Sequence, residues 1–141
     1  MFAYFLRMVG DANSAEELTQ ETFVRACGAA LRFRGDSSVR TWLLGIGRRV
    51  LLEASRAGLF DRQASFEEVH AVPTKDAPVD ERLHLEHVLS QLRPADREAI
   101  VMVDVLGFEP IEVAVLLRVG PDAFRVRLHR ARARFRELYE R

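Results

Sequence analysis

The sequence holds a single cysteine, Cys27, so no internal disulfide can form and a reducing compartment suits the chain. Five prolines and eight glycines are too few for a low-complexity or collagen-like protein. No apolar run approaches the roughly 20 residues of a membrane span. The apolar opening, MFAYFLRMVG, is interrupted by Arg7 and lacks the charge-first order and small-residue cleavage site of a signal peptide. It reads as a core helix, without membrane insertion, of a cytoplasmic protein. A glycine-rich phosphate loop, a catalytic triad and metal-ligand spacing are absent too. His84 and His87 lie one turn apart but have no second pair or cysteine cluster beside them, so they read as surface residues and no metal is expected. Cys27 reads as core rather than nucleophile, and Asp104 and Glu112 form no catalytic pair. Neither enzyme chemistry nor a cofactor is expected of this chain alone.

Net charge is missing only in sum, with 21 basic and 21 acidic residues. Residues 1–58 carry +2, residues 59–91 carry −4 and residues 92–141 carry +2, the last excess packed into the final turns. A nucleic acid responds to such local charge rather than to the total.

What is present is helical spacing. One helix is expected over residues 1–9, stopping at Gly10. A second starts near Asn13–Ser14, with Ser14 and Glu17 spaced as a capping box, and runs to about Leu31. It turns Phe23, Ala26, Cys27 and Ala30 inward and Glu17, Gln20, Glu21 and Val24 outward. RFRGDSS is a loop. A third helix, from Ser38 to Gly58, carries an apolar stripe of Val39, Trp42, Leu43, Ile46, Val50 and Leu51. Residues 59–79, with Pro73 and Pro78 and most of the acidic excess, read as a linker. Helices are then expected over 80–91, 95–106, 110–117 and 121–139. The fold class is all-α, with two small helical domains, 1–58 and 80–141, joined by the acidic linker 59–79.

Residues 118–138, RVGPDAFRVRLHRARARFREL, contain seven arginines against only Asp122 and Glu137. At ~100° per residue, Phe124, Leu128, Ala131, Phe135 and Leu138 form one apolar stripe. Arg125, Val126, His129, Arg130, Ala133 and Arg136 face the other way. The preceding FEPIEVAVLL supplies a short helix, with Ile111, Ala114, Val115 and Leu117 inward, and Arg118–Gly120 a tight turn. Short helix, turn and longer basic helix make a helix-turn-helix, whose second helix enters the DNA major groove. Arginine suits that groove because its planar fork binds guanine edges or phosphates.

The stretch LRPADREAIVMVDVLGFEPIEVAVLLRVGPDAFRVRLHRARARFREL resembles region 4 of the extracytoplasmic-function (group 4) sigma factors of bacterial RNA polymerase. SAEELTQETFVRACGAALRFRGDSSVRTWLLGIGRRVLLEASR resembles their region 2. The two matches cover just under two-thirds of the chain in the family's order. The resemblance implies a promoter-recognition subunit, with catalysis left to the recruited core enzyme. Within the helix-turn-helix of 110–129 and the helix that continues from it, it would assign reading of the −35 duplex to Arg125, Val126, His129 and Arg130. Recognition of the melted −10 element would fall to Arg34, Ser37, Ser38, Arg40, Trp42, Arg48, Arg49 and Arg56, with Trp42 expected in the core. Glu17, Gln20, Glu21 and Val24 would dock on the β′ clamp coiled coil of the polymerase core. The implied partners are that core, including its β flap, promoter DNA and an anti-sigma factor.

The chain departs from the family pattern at several places. The family's leading helix or two are missing ahead of FAYFLRMVGD, so an incomplete region 2 core is expected. Gly45 and Gly47 stand where arginine or alanine is common, each costing a helix about 1 kcal/mol. Arg118 replaces a turn glycine. Val126 replaces a small polar residue and can touch a thymine methyl without hydrogen bonding. Two other readings stay open: a stand-alone helix-turn-helix regulator, and a degenerate sigma-like interaction protein.

Overall fold

The computed structural model describes residues 1–59 and 78–141. The linker expected over 59–79 therefore lies, from residue 60 to 77, outside the described residues. The chain divides between Arg62 and Gln63 into two compact units. All regular structure among the described residues is helical, in seven α-helices with one short 3₁₀ turn and one π segment.

The first unit contains α1 (Phe2–Val9), α2 (Ala12–Ala29) and α3 (Val39–Arg56). The helix α1 buries Tyr4, Phe5, Leu6 and Met8 and stops at Gly10. There a left-handed φ of 74° lets the glycine N–H reach the Leu6 carbonyl at 2.8 Å. Asp11, rather than Ser14, caps α2. Its carboxylate accepts from the Ser14 amide at 2.9 Å and the Ser14 hydroxyl at 2.7 Å. The helix therefore starts three residues earlier than the Ser14–Glu17 spacing suggested, because the Asp11 carboxylate satisfies the free Ser14 amide and adds charge at the dipole's positive end.

The inward face of α2 also differs from expectation. Ala15, Leu18, Thr22 and Ala26 are buried, whereas Phe23, Cys27 and Ala30 are exposed. Small residues suit a helix that packs between two others, and the Thr22 hydroxyl satisfies itself on the Leu18 carbonyl at 2.7 Å. After the 3₁₀ turn Ala30–Arg32 the loop runs through Gly35, at a φ of 77°, to Ser38. The Ser38 hydroxyl accepts from the Thr41 amide and caps α3.

Along α3 the buried set is Leu44, Ile46, Gly47, Val50, Leu51 and Ala54. Leu43 and Trp42 are half-buried, and Val39 is exposed. A Cβ on Gly47 would collide with the end of the Met1 side chain, lie 3.3 Å from the Phe5 ring and 3.5 Å from the Thr22 methyl. The absent side chain lets α3 lie close against α1 and α2. Gly45, in contrast, has no neighbour within 4 Å of where a Cβ would stand.

The second unit holds α4 (Val79–Gln91), α5 (Pro94–Ile100), α6 (Pro110–Leu117) and α7 (Pro121–Tyr139). The helix α5 runs on through a π segment, Val101–Val105, where the Leu106 amide bonds five residues back to Val101 at 2.8 Å. Val88, Leu89, Leu92, Ile100, Ala131 and Leu138 form a core, with Phe135 and Tyr139 packed beside it. Arg97, only 1 % exposed, holds the end of α4. Its guanidinium donates to the carbonyls of Leu89 at 3.0 Å, Ser90 at 3.1 Å and Leu92 at 2.8 Å. The Leu89 carbonyl also takes the Leu92 amide at 3.2 Å, but those of Ser90 and Leu92 have no later turn to accept from, and a cation suits the negative end of the helix.

His84 and His87 have separate engagements. The His84 ring lies 3.2 Å from the Tyr139 carbonyl, and His87 pairs with Gln91 at 2.7 Å. In α6, Val113 and Ala114 are buried, while Ile111 and Val115 are exposed, contrary to the inward set read from the sequence. The segment is apolar on nearly every side, so periodicity alone could not orient it.

Two substitutions test this account by chemical unfolding of the full chain. Arg97→Met should lower stability by about 3 kcal/mol, since it strands buried carbonyls that cost roughly 1–3 kcal/mol each. An unchanged midpoint would contradict the capping role. Gly45→Ala should raise stability by about 1 kcal/mol, because the helix gains propensity and nothing is displaced. A loss of stability there would mean that the site is more crowded than it looks.

Candidate nucleic-acid interface

The α7 helix owes its outward face to what it buries. Phe124, Leu128, Ala131 and Leu138 are turned into the second unit. Arg125, Val126, His129 and Arg130 are all exposed on the other side. The corner before α7 is built by Arg118, at φ 57° and ψ 43°, whose amide bonds Val115 at 3.1 Å while the Val119 amide bonds Ala114 at 3.0 Å. Asp104 and Arg132 form a two-pronged pair, at 2.7 and 3.0 Å, that ties the π segment to α7. Their hydrogen bond holds Arg132 above the ordinary arginine range. Arg134 pairs with Glu137 at 3.1 Å, and Arg125 lies 3.6 Å from Asp122. Among the described residues, Arg127, Arg130 and Arg136 have no ion-pair partner. The face is therefore cationic and available.

In the first unit the candidate −10 residues divide. Trp42, Arg49 and Arg56 are seven residues apart and share one side of α3, with Gly45 between them. The Trp42 ring sits half-buried, 5.1 Å from that of Phe33 and tilted against it, so it stands at the rim rather than in the core. Arg34, Ser37, Arg49 and Arg56 are exposed. Arg48 is half-buried at the edge of the stripe. Ser38 is committed to capping α3. Arg40 lies on the Met1 side of α3, where its charge reinforces the burial that lowers the pKa of the amino terminus.

Glu17, Gln20, Glu21 and Val24 are all exposed on α2. Gln20 and Val24 also line a shallow groove of about 600 Å³ with Thr19, Phe23 and Cys27. Phe23 and Cys27 were missed as surface residues because, one turn apart, they looked like a core stripe. Arg25 sits between α2 and α3 and bonds Glu21 at 2.8 Å and Glu53 at 2.7 Å. The hydrogen bonds from Glu53 and then Glu21 push the guanidinium above its ordinary pKa, and Arg25 in turn holds the Glu53 carboxyl below the usual range. Arg49 and Arg56 add to that field.

A helix-turn-helix with an exposed cationic face, and a three-helix unit with a basic stripe and loop, offer two surfaces of the kind that DNA-binding factors use. Family comparisons give the chain a place. Residues 1–58 match Sigma-70 region 2, and residues 82–135 match Sigma-70, region 4. The chain is 34 % identical to RNA polymerase sigma factor CarQ of Myxococcus xanthus, over 96 % of this chain and 80 % of that protein. It is 32 % identical to ECF RNA polymerase sigma factor SigC of Mycobacterium tuberculosis, over 91 % and 71 %. Its fold is similar to that of sigma factor RpoE from Bartonella quintana, solved with the anti-sigma factor NepR, at a TM-score of 0.83 and 24 % identity over 99 % of this chain and 89 % of that one. The chain belongs to the sigma-70 family, in its extracytoplasmic-function branch. It is an alternative sigma factor for promoter-specific transcription initiation, a DNA-binding factor and not an enzyme, whose domains imply RNA polymerase core and promoter DNA as partners. Among the described residues no helix is long and apolar enough to cross a membrane.

The α2–α3 link carries a pH expectation. Because the folded pKa of Glu53 is lowered, its contribution is complete above the ordinary glutamate value of about 4.3 and fades as pH falls through the lower folded value. Replacing Glu53 by Gln should therefore flatten part of the fall in melting temperature below the ordinary glutamate value of about 4.3. An identical acid limb in the variant would rule out this contribution.

Proposed function

We propose that α7 reads the −35 duplex from the major groove through Arg125, Val126, His129 and Arg130. The observation that carries this reading is the burial pattern of α7: its apolar stripe lies inward, and these four side chains stand together on the free side. Arginine forks provide base or phosphate contacts. The melted −10 strand is taken by the loop and outer stripe of α3. Arg34, Ser37, Arg49 and Arg56 hold its backbone, Arg48 adds charge at the edge, and the Phe33–Trp42 pair supplies flat surface for an unstacked base. Ser38 and Arg40 contribute by shaping the loop and the start of α3.

The α2 strip of Glu17, Gln20, Glu21 and Val24 docks on the β′ clamp coiled coil, with the adjoining groove taking apolar side chains and the acids meeting basic ones. The second unit meets the β flap. The fold-level likeness to a sigma factor solved with NepR supports an anti-sigma partner for this chain as well. A single exposed cysteine and this partner set support a cytoplasmic location.

Transcription from a selected promoter library by core polymerase plus this chain tests the reading. Specific initiation is expected, and core binding without any transcript would favour a degenerate, non-initiating role. Arg130→Ala should weaken holoenzyme binding to the selected −35 duplex by about 1–3 kcal/mol if the side chain bridges a base. Unaltered promoter affinity would remove Arg130 from the reading face.

A further inference from the structure

The outward face of α7 is not uniformly basic. At ~100° per residue, Arg125, Arg132 and Arg136 run along one side of it, and Arg127, Arg130 and Arg134 along the other. Between these two rows lies a strip of different chemistry: Asp122, Val126, His129 and Ala133. Val126 is 48 % exposed, the one large apolar side chain of α7 counted among the exposed ones. A helix laid in a major groove has a phosphate row on each wall and base edges along the floor. The two rows match the two walls, Arg127, Arg130 and Arg136 with unpaired charge among the described residues and Arg125, Arg132 and Arg134 sharing theirs with Asp122, Asp104 and Glu137. The strip between them then meets the bases.

Val126 has no hydrogen-bonding atom, so it cannot distinguish bases by donors and acceptors. Its β-branched side chain is stiff and presents two methyl groups at a fixed direction. The thymine C5 methyl is the apolar feature that unmodified base pairs show in the major groove. The geometry points to Val126 as a specificity-determining residue that packs on a thymine methyl in the −35 duplex. The neighbouring arginines and His129 supply the polar contacts around it. This inference rests on the proposed placement of α7 in the −35 major groove.

The experiment uses holoenzyme assembled from the full chain and core polymerase, bound to a promoter selected from a random library. Each thymine of the upstream element is replaced in turn by deoxyuridine, which lacks only the methyl, while the −10 element is left unchanged. Replacement at one position should weaken binding about fourfold, equivalent to about 0.8 kcal/mol for one buried methyl-sized group. Val126→Ala should lower that ratio to about two or less, and 5-methylcytosine placed there should restore part of the affinity to the wild type. Because Val126 is exposed, the variant keeps the core of its unit, which circular dichroism verifies. A wild type blind to the methyl at every upstream position, with the upstream duplex still protected in a footprint, overturns this inference alone. So does a methyl dependence that survives in Val126→Ala. Loss of upstream protection altogether overturns the placement of α7 and this inference with it.

Discussion

The rotation of α7 about its own axis is set by four side chains that have nothing to do with DNA. Phe124, Leu128, Ala131 and Leu138 are buried along one line of the helix, and each large apolar one would expose surface worth about 1.5–3 kcal/mol if the helix turned. The two-pronged Asp104–Arg132 pair resists the same rotation from the flank. Arg97 contributes at one remove. By satisfying the end of α4 it keeps Val88 and Leu89 against the core that receives Ala131 and Leu138. The outward residues face away because the inward ones leave no alternative, and the charged surface is a by-product of packing.

The first unit solves a different problem. Three helices must pack closely enough to hide a core while α2 and α3 each leave a working surface. Small residues on α2 and the missing side chain at Gly47 permit the close approach. Arg25 spans the seam with one guanidinium shared by two carboxylates. Such a half-exposed network contributes modestly to stability, yet it fixes where Glu21 and Glu53 sit. The proposed polymerase surface and the proposed strand-binding stripe thus lie on neighbouring helices that Arg25 ties together.

Long periodic segments were the most legible part of the sequence. The stripe of α7 and its outward residues could be read from spacing alone, because 19 residues give five turns of agreement. The all-α class followed from the same signal. Orientation failed where the signal was short or where packing inverted it. Eight apolar-rich residues in α6 fitted more than one face, and Ile111 and Val115 proved exposed. In α2 the bulky Phe23 outweighed Thr22 in any hydrophobic reading, although threonine with its hydroxyl satisfied locally is the better interior residue at a close helix crossing. Gly47 looked like a cost alone, whereas a side chain there would meet the end of Met1 and press on the Phe5 ring, which only the packed positions of α1 and α3 reveal. For the strand-binding candidates, charge was legible, but the division between a shared stripe and Arg40 on the Met1 side depended on where α3 begins.

Arg118 is the one non-glycine residue with positive φ among the described residues. A left-handed arginine costs roughly 1–2 kcal/mol, and such strain persists only where its surroundings over-determine it. The joint between α6 and α7 is therefore kept bent, like a sprung clip, by its two corner hydrogen bonds and by the bodies on either side of it, against the preference of the arginine backbone. Any loosening of Val113, Ala114 or Phe124 would let the joint relax first, so the angle at which the basic helix is offered to DNA is only as secure as the packing two turns away.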